Sequence, residues 1–170
     1  MTPGIGGTNK PAPRMGCQNQ RRRRMRATFL SLHYHIVFST RDRQPLIDSA
    51  WRARFHAYLA GTCRGLHGEP EAIGGMADHV HILCALPATG VLADFVRELK
   101  KASNAWVGTT IGVRNFAWQE GYAAFTVSPT ARESVHRYIA NQESHHRALS
   151  YQEEVDAFLA KAGILGGPIQ

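Results

Sequence analysis

Apolar positions first take a clear pattern at His33-Tyr34-His35-Ile36-Val37-Phe38, a β-branched and aromatic run that predicts a strand from Leu32 to Ser39. After Asp48, the spacing of Trp51, Phe55, Tyr58, Leu59 and Leu66 gives a helix one buried face. Glu71 to Met76 and His79 to Leu86 follow as two strands joined tightly at Ala77-Asp78. A second helix is predicted from Val91 to Trp106: Val91, Leu92, Phe95, Val96, Leu99 and Ala102 form its apolar stripe, with Arg97, Lys100 and Lys101 on the other side. Tyr122 to Val127 makes a fourth strand. Capping boxes at Thr130-x-x-Glu133 and Ser150-x-x-Glu153 open two more helices, carrying Val135 and Ile139, then Val155, Phe158 and Leu159. Gly163 followed by Ile164 reads as a glycine stop. The order β-α-β-β-α-β predicts an α+β fold: a ferredoxin-like split βαβ antiparallel sheet with helices on one face, plus C-terminal helices. The other face is expected to stay open, as in single-strand binders of this architecture.

At 170 residues the chain is read as a single domain over residues 27–165, with a disordered basic tail at 1–26 and a short tail at 166–170. Charge sharpens that division. Seven of the 20 lysines and arginines, including the run Arg21 to Arg24, fall in residues 1–26 with no acid among them. The 13 that remain balance the 13 acidic residues, so the net charge of +7 belongs to the tail, with Met25 a candidate start. No apolar run has the length of a membrane span, and the stretch after the arginines is too short and polar for an export core. Cys17, Cys63 and Cys84 match neither a disulfide framework nor a zinc pattern. A cytoplasmic protein is expected.

Chemistry concentrates in two places. Alternation along a strand sets His79 and His81 on one face and Val80 and Ile82 on the other, so both imidazoles can reach one metal ion. In a chain with nine histidines such a pair also arises by chance, and His33/His35 is a rival with the same spacing. Strands one and three are neighbours in the expected fold, so His35 is either a packed sheet histidine or a support for the His79/His81 pair. In Arg137-Tyr138-Ile139-Ala140-Asn141-Gln142, Tyr138 and Gln142 stand at i and i+4 and share a helix face. Tyr138 there reads either as an edge-of-core residue or as a nucleophile. Asp78 borders the histidine pair. No carboxylate pair, glycine-rich phosphate loop, or serine or cysteine triad is visible.

Five blocks in order are far more specific than a lone His-x-His pair: Ser31-Leu32-His33-Tyr34-His35-Ile36-Val37-Phe38-Ser39-Thr40, Asp78-His79-Val80-His81-Ile82, Arg97-Glu98-Leu99-Lys100-Lys101-Ala102-Ser103, Trp118-Gln119-Glu120-Gly121-Tyr122, and Arg137 to Gln142. With them the sequence resembles, over roughly residues 28–163, the single-tyrosine HUH transposases of small bacterial insertion sequences, the family of insertion sequence two hundred, and the related REP-associated tyrosine transposases. The arginine-rich tail is not part of that pattern.

The resemblance implies a DNA transposase that cuts and rejoins single-stranded DNA with hairpin ends through a 5′-phosphotyrosine. Tyr138 would be the nucleophile, with His79, His81 and Gln142 holding a divalent metal, magnesium or manganese. No nucleotide cofactor is needed, because the bond energy stays in the covalent intermediate. The resemblance also implies a homodimer in which the tyrosine helix of one subunit meets the histidine pair of the other. The short stripe of Ala131, Val135 and Ile139 fits that arrangement by offering little grip on its own sheet. DNA contacts are expected at Arg97, Lys100 and Lys101, or at Arg41 and Arg43 after the first strand. Two alternatives are a domesticated relative that binds DNA hairpins without cutting and an unrelated RNA-binding module. The second usually needs aromatics on the central strands, and here only the first strand offers them, at Tyr34 and Phe38.

Overall fold

Strand β1 (His33–Ser39) is buried almost throughout, because it runs through the middle of the sheet with a helical layer on each side. In the computed structural model, which describes Met1 and residues 28–142 and 151–164, β1 pairs antiparallel with β3 (His79–Ala85) on one side and β4 (Ala123–Val127) on the other. Strand β2 (Glu69–Gly75) borders β3, giving the order β2-β3-β1-β4. This is the split βαβ arrangement expected from the element order. The arginine-rich segment, Ser150 of the second capping box and residues 166–170 lie outside the described residues.

Helices α1 (Ser49–Gly65) and α2 (Leu92–Trp106) cover the first face. Asp48 opens α1 by accepting a hydrogen bond from the Ala50 N–H at 2.7 Å, as an N-cap aspartate does. Phe55 and Leu59 of α1 and Phe95, Val96 and Leu99 of α2 pack on Ile36, Phe38, Val80 and Ile82. Trp118 joins them edge-on to Phe38, and its indole N–H donates to the buried Ser103 hydroxyl at 2.9 Å. The buried tryptophan thereby keeps its one polar atom satisfied.

The second face is not open. Helices α3 (Arg132–Ala140) and α4 (Tyr151–Lys161) lie on it, covering β1, β3 and their histidines. The expectation of an exposed nucleic-acid platform fails because that face is apolar between its histidines. Val37, Leu83, Ala123 and Val127 need cover, and Val155 and Ile139 supply it. Burying a side chain such as Ile139 stabilises by about 1.5–3 kcal/mol, so the two helices have reason to dock. The idea that the α3 stripe lacks grip on its own sheet fails on the same ground: Ile139, Val135 and Ala131 pack with Leu83, Val127 and Ala72 of one chain. Gly74 makes room for this, since a Cβ there would collide with the Ile139 carbonyl.

The cap of α3 also differs from the sequence pattern. Its N-cap is Ala131, with no side-chain cap, and Thr130 Oγ1 lies 3.1 Å from Ser128 Oγ instead. The end of α4 follows expectation. Gly163 adopts φ 69, with Gly163 N–H donating to Ala160 O and Ile164 N–H to Leu159 O, a Schellman closure.

Candidate active site and metal centre

The pleat of β3 sends His79 and His81 to the face under α3 and α4, while Val80 and Ile82 enter the α1/α2 core. Both imidazoles are fully buried, and each ring is held through Nδ1. The Asp78 carboxylate sits 2.7 Å from His79 Nδ1, and His35 Nε2 sits 3.0 Å from His81 Nδ1. Burial opposes the Asp78 carboxylate, yet the hydrogen bond to His79 and the charge of Arg43 outweigh it and hold its carboxyl below the usual range. Arg43 Nη2 stands 3.5 Å from the other Asp78 oxygen. Burial, with His81 alongside, pushes the His35 imidazole down to about 3, so it is neutral. With Nδ1 of each ring engaged, Nε2 is the atom placed to meet a metal ion, an arrangement in which outer residues orient metal-binding histidines.

Helix α4 brings a third group that the sequence reading missed. Glu154 Oε2 lies 3.3 Å from His81 Nε2 and 4.0 Å from His79 Nε2. One ligand atom from each of His79, His81 and Glu154 falls within 4.8 Å of the others, so this cluster can hold a metal ion. Burial pushes the Glu154 carboxyl up to about 7, with His79 opposing and Asp78 adding to the effect. A cation alongside would favour the carboxylate again. The sequence did carry a signal: Glu154 sits on the apolar stripe, beside Val155 and four residues before Phe158.

Gln142, at the end of α3, touches this cluster through Glu154. Its Nε2 donates to Glu154 Oε1 at 3.2 Å. Its Oε1 is buried and accepts no hydrogen bond among the described residues. A buried amide oxygen with no donor is costly unless something electropositive meets it. Two imidazoles, a carboxylate and an amide oxygen therefore suit a divalent cation.

Tyr138 stands one turn before Gln142, its ring edge-on to His81 at 5.7 Å between centroids and to His35 at 6.0 Å. Phe158 of α4 flanks it at 5.4 Å. The four residues singled out from the sequence, His79, His81, Tyr138 and Gln142, thus converge in one chain. The rival pair does not. His33 turns to Glu71 at 2.9 Å, a carboxylate shared with Arg132, and only His35 joins the site. Tyr122 is exposed and lies beside Lys100.

Over residues 28–142 the chain matches the family model described as transposase, IS200-like. The chain belongs to the IS200-like transposase family. The transposase also resembles two solved structures. One is a candidate transposase from Deinococcus radiodurans, with 24% identity, a TM-score of 0.54, and coverage of 68% of this chain and 95% of that one. The other is a REP-associated tyrosine transposase bound to a REP hairpin, with 15% identity, a TM-score of 0.51, and coverage of 82% and 74%. Both share the fold of a four-stranded antiparallel sheet with helices. Comparison with curated proteins gives no significant match.

The basic residues of the transposase divide by position. Arg97 and Lys101 are exposed on α2, behind the sheet from the histidines, and pair with Asp94 and Glu98. Lys100 turns inward. Its ammonium donates to the carbonyls of Gln119, Glu120 and Gly121 at 2.8, 3.2 and 2.6 Å and stands over the Phe38 ring. Burial pushes this ammonium down to about 8. It fastens the loop leading into β4. Arg41 and Arg43 lie at the end of β1, and Arg43 reaches Asp78 beside His79. A cleft of ≈ 450 Å³ runs along β2, lined by Arg52 and His56 of α1, Gly74, Gly75, Asn141 and Gln142. Among the described residues, no helix is long and apolar enough to cross a membrane.

Proposed function

We propose that this transposase cuts and rejoins single-stranded DNA with hairpin ends by transesterification at Tyr138. The observation that carries the reading is the convergence of Tyr138, edge-on to His81, with a histidine pair whose rings are both held through Nδ1. His79, His81 and Gln142 would hold a divalent ion, magnesium or manganese. When bound, that ion supplies positive charge to the non-bridging oxygens of the scissile phosphate.

The rest falls to the chain's own groups. The Tyr138 hydroxyl attacks phosphorus, a bond forms between its oxygen and the phosphate, and the bond to the 3′ oxygen breaks. The phenolic proton must leave and the departing 3′ oxygen gain one, which yields a 5′-phosphotyrosine and a free 3′-hydroxyl. A 3′-hydroxyl attacking the phosphotyrosine reverses the step, so rejoining needs no nucleotide cofactor. A free phenol loses its proton only near pH 10, and a cation held at the histidines would favour its phenolate form. The rings of His35, His81 and Phe158 shield Tyr138 from water that would hydrolyse the intermediate.

Hairpin-ended DNA is the proposed substrate because the REP-associated relative is bound to a REP hairpin. Arg41, Arg43, Arg97 and Lys101 are the proposed phosphate contacts, those at the end of β1 lying nearer the chemistry. The proposed working unit is a homodimer, which suits an enzyme that must cut two element ends, acting in the cytoplasm through the domain at 27–165.

A labelled single-stranded hairpin substrate, resolved on a denaturing gel, tests the proposal. The wild type should form a covalent protein–DNA adduct with Mg²⁺ or Mn²⁺ and none with chelator; Tyr138→Phe should bind DNA and form none. An adduct that persists in Tyr138→Phe assigns the nucleophile elsewhere. Hairpin binding by the wild type with no adduct makes the protein a binding relative that no longer cuts.

A further inference from the structure

Family resemblance draws ligands from β3 and from the end of α3. The structure adds a carboxylate from a different helix. We infer that Glu154 of α4 is a protein ligand of the same divalent ion, so that metal binding and the docking of α4 on the sheet are one event. The inference rests on the proposed reading of His79 and His81 as the metal pair and names the residue that completes it.

Three observations carry it. The first is distance. Two donors about 2.1 Å from one ion stand roughly 3 Å apart at right angles and roughly 3.4 Å apart at a tetrahedral angle. Glu154 Oε2 is 3.3 Å from His81 Nε2 and 4.0 Å from His79 Nε2, and the three ligand atoms lie within 4.8 Å of one another, so a single ion can meet all three once the side chains draw in. The second is the division of labour on the carboxylate. Oε1 accepts from Gln142 Nε2, which fixes its plane and leaves Oε2 toward the imidazoles. Gln142 Oε1 is itself buried and accepts nothing among the described residues. The third is location. Glu154 is buried on an apolar helix face whose docking Val155 and Phe158 already provide, Val155 against Val37 and Ala123, and Phe158 against His35 and Phe125. A carboxylate in that setting is costly unless it takes up a proton or a cation balances it, and a cation within reach favours the charged form.

The ligand set indicates the ion's class. Two imidazoles and a carboxylate suit zinc as well as Mn²⁺, and an added amide oxygen is a donor that harder ions such as Mn²⁺ accept. Because α4 carries one ligand and the sheet two, an ion bound only by the docked form stabilises docking by mass action.

Calorimetric titration of the full-length protein with MnCl₂ tests the inference, together with hydrogen–deuterium exchange over residues 151–161 with and without Mn²⁺. Wild type, Glu154→Gln, Glu154→Ala and His79→Ala are compared. Both Glu154 variants should lose about tenfold or more in Mn²⁺ affinity, at least what removal of a supporting residue costs a metal site. Mn²⁺ should slow exchange over 151–161 in the wild type and much less in the variants. If Glu154→Ala undocks α4 even without metal, the isosteric Glu154→Gln decides. Affinity equal to or tighter than wild type in Glu154→Gln overturns the inference, since the carboxylate would then be a bystander or a plug. A wild type that binds no Mn²⁺, or a His79→Ala that binds it as well, overturns the underlying histidine reading instead.

Discussion

His35 Nε2 and His81 Nδ1 meet at 3.0 Å in the buried heart of the sheet. His35 is neutral at physiological pH, so its Nε2 is able to accept; with a metal ion at His81 Nε2, His81 would donate from Nδ1–H to His35 and be held in the ligating tautomer. His35→Ala should therefore weaken Mn²⁺ binding by about 10–100-fold, whereas His33→Ala should leave it near wild type, since His33 faces Glu71. Calorimetry on the two variants measures the contrast. Equal losses would mean that the first strand acts only through stability.

Lys100 and Lys101 are neighbours with different work. Removing the Lys100 ammonium leaves three carbonyls of the loop before β4 without their donor. Lys100→Gln should cost about 2 kcal/mol of stability, the scale of hydrogen bonds to a charged group, read by urea denaturation. Lys101→Gln should leave stability alone and, if Lys101 meets phosphate, flatten the salt dependence of single-strand binding by about 0.7 in log–log slope. A stable Lys100→Gln with a flattened slope would return Lys100 to the DNA surface.

Gly74 sets the height of α3 over the sheet. A methyl group there would strike the Ile139 carbonyl, and the helix bearing Tyr138 must shift to admit it. Gly74→Ala should cost about 1–3 kcal/mol, the usual range for overpacking, and reduce adduct formation more than DNA binding. Gly61, in α1 with open space around it, is the control. Gly61→Ala should stabilise by roughly 0.5–1 kcal/mol through helix propensity alone. Wild-type adduct yield in Gly74→Ala would separate the α3 position from the chemistry.

Mixing inactive subunits tests whether sites are shared. Within one chain Tyr138 already meets His81, so a cis site predicts that Tyr138→Phe mixed with His79→Ala stays inactive although subunits exchange. A dimer with its tyrosine helices swapped, as the family resemblance implies, predicts recovery of the adduct. Gel quantification of the adduct, with exchange followed by fluorescence transfer between labelled subunits, distinguishes the two.

The local pattern of the chain determined much of this. Alternation along His79-Val80-His81-Ile82 assigned the two imidazoles to one face, because strand geometry sends successive side chains to opposite sides. The i, i+4 spacing assigned Tyr138 and Gln142 to one helix face, and the element order assigned the split βαβ sheet. Only the tertiary structure decided that α3 and α4 close the second face, that Glu154 reaches the histidines, that His35 rather than His33 supports them, and that Lys100 turns inward. The reason is physical. Periodicity reports which side of an element is apolar, but not which distant element covers it. A polar group such as Glu154 or Lys100 has its role set by the partner that burial brings within about 3 Å, and that partner comes from another part of the chain.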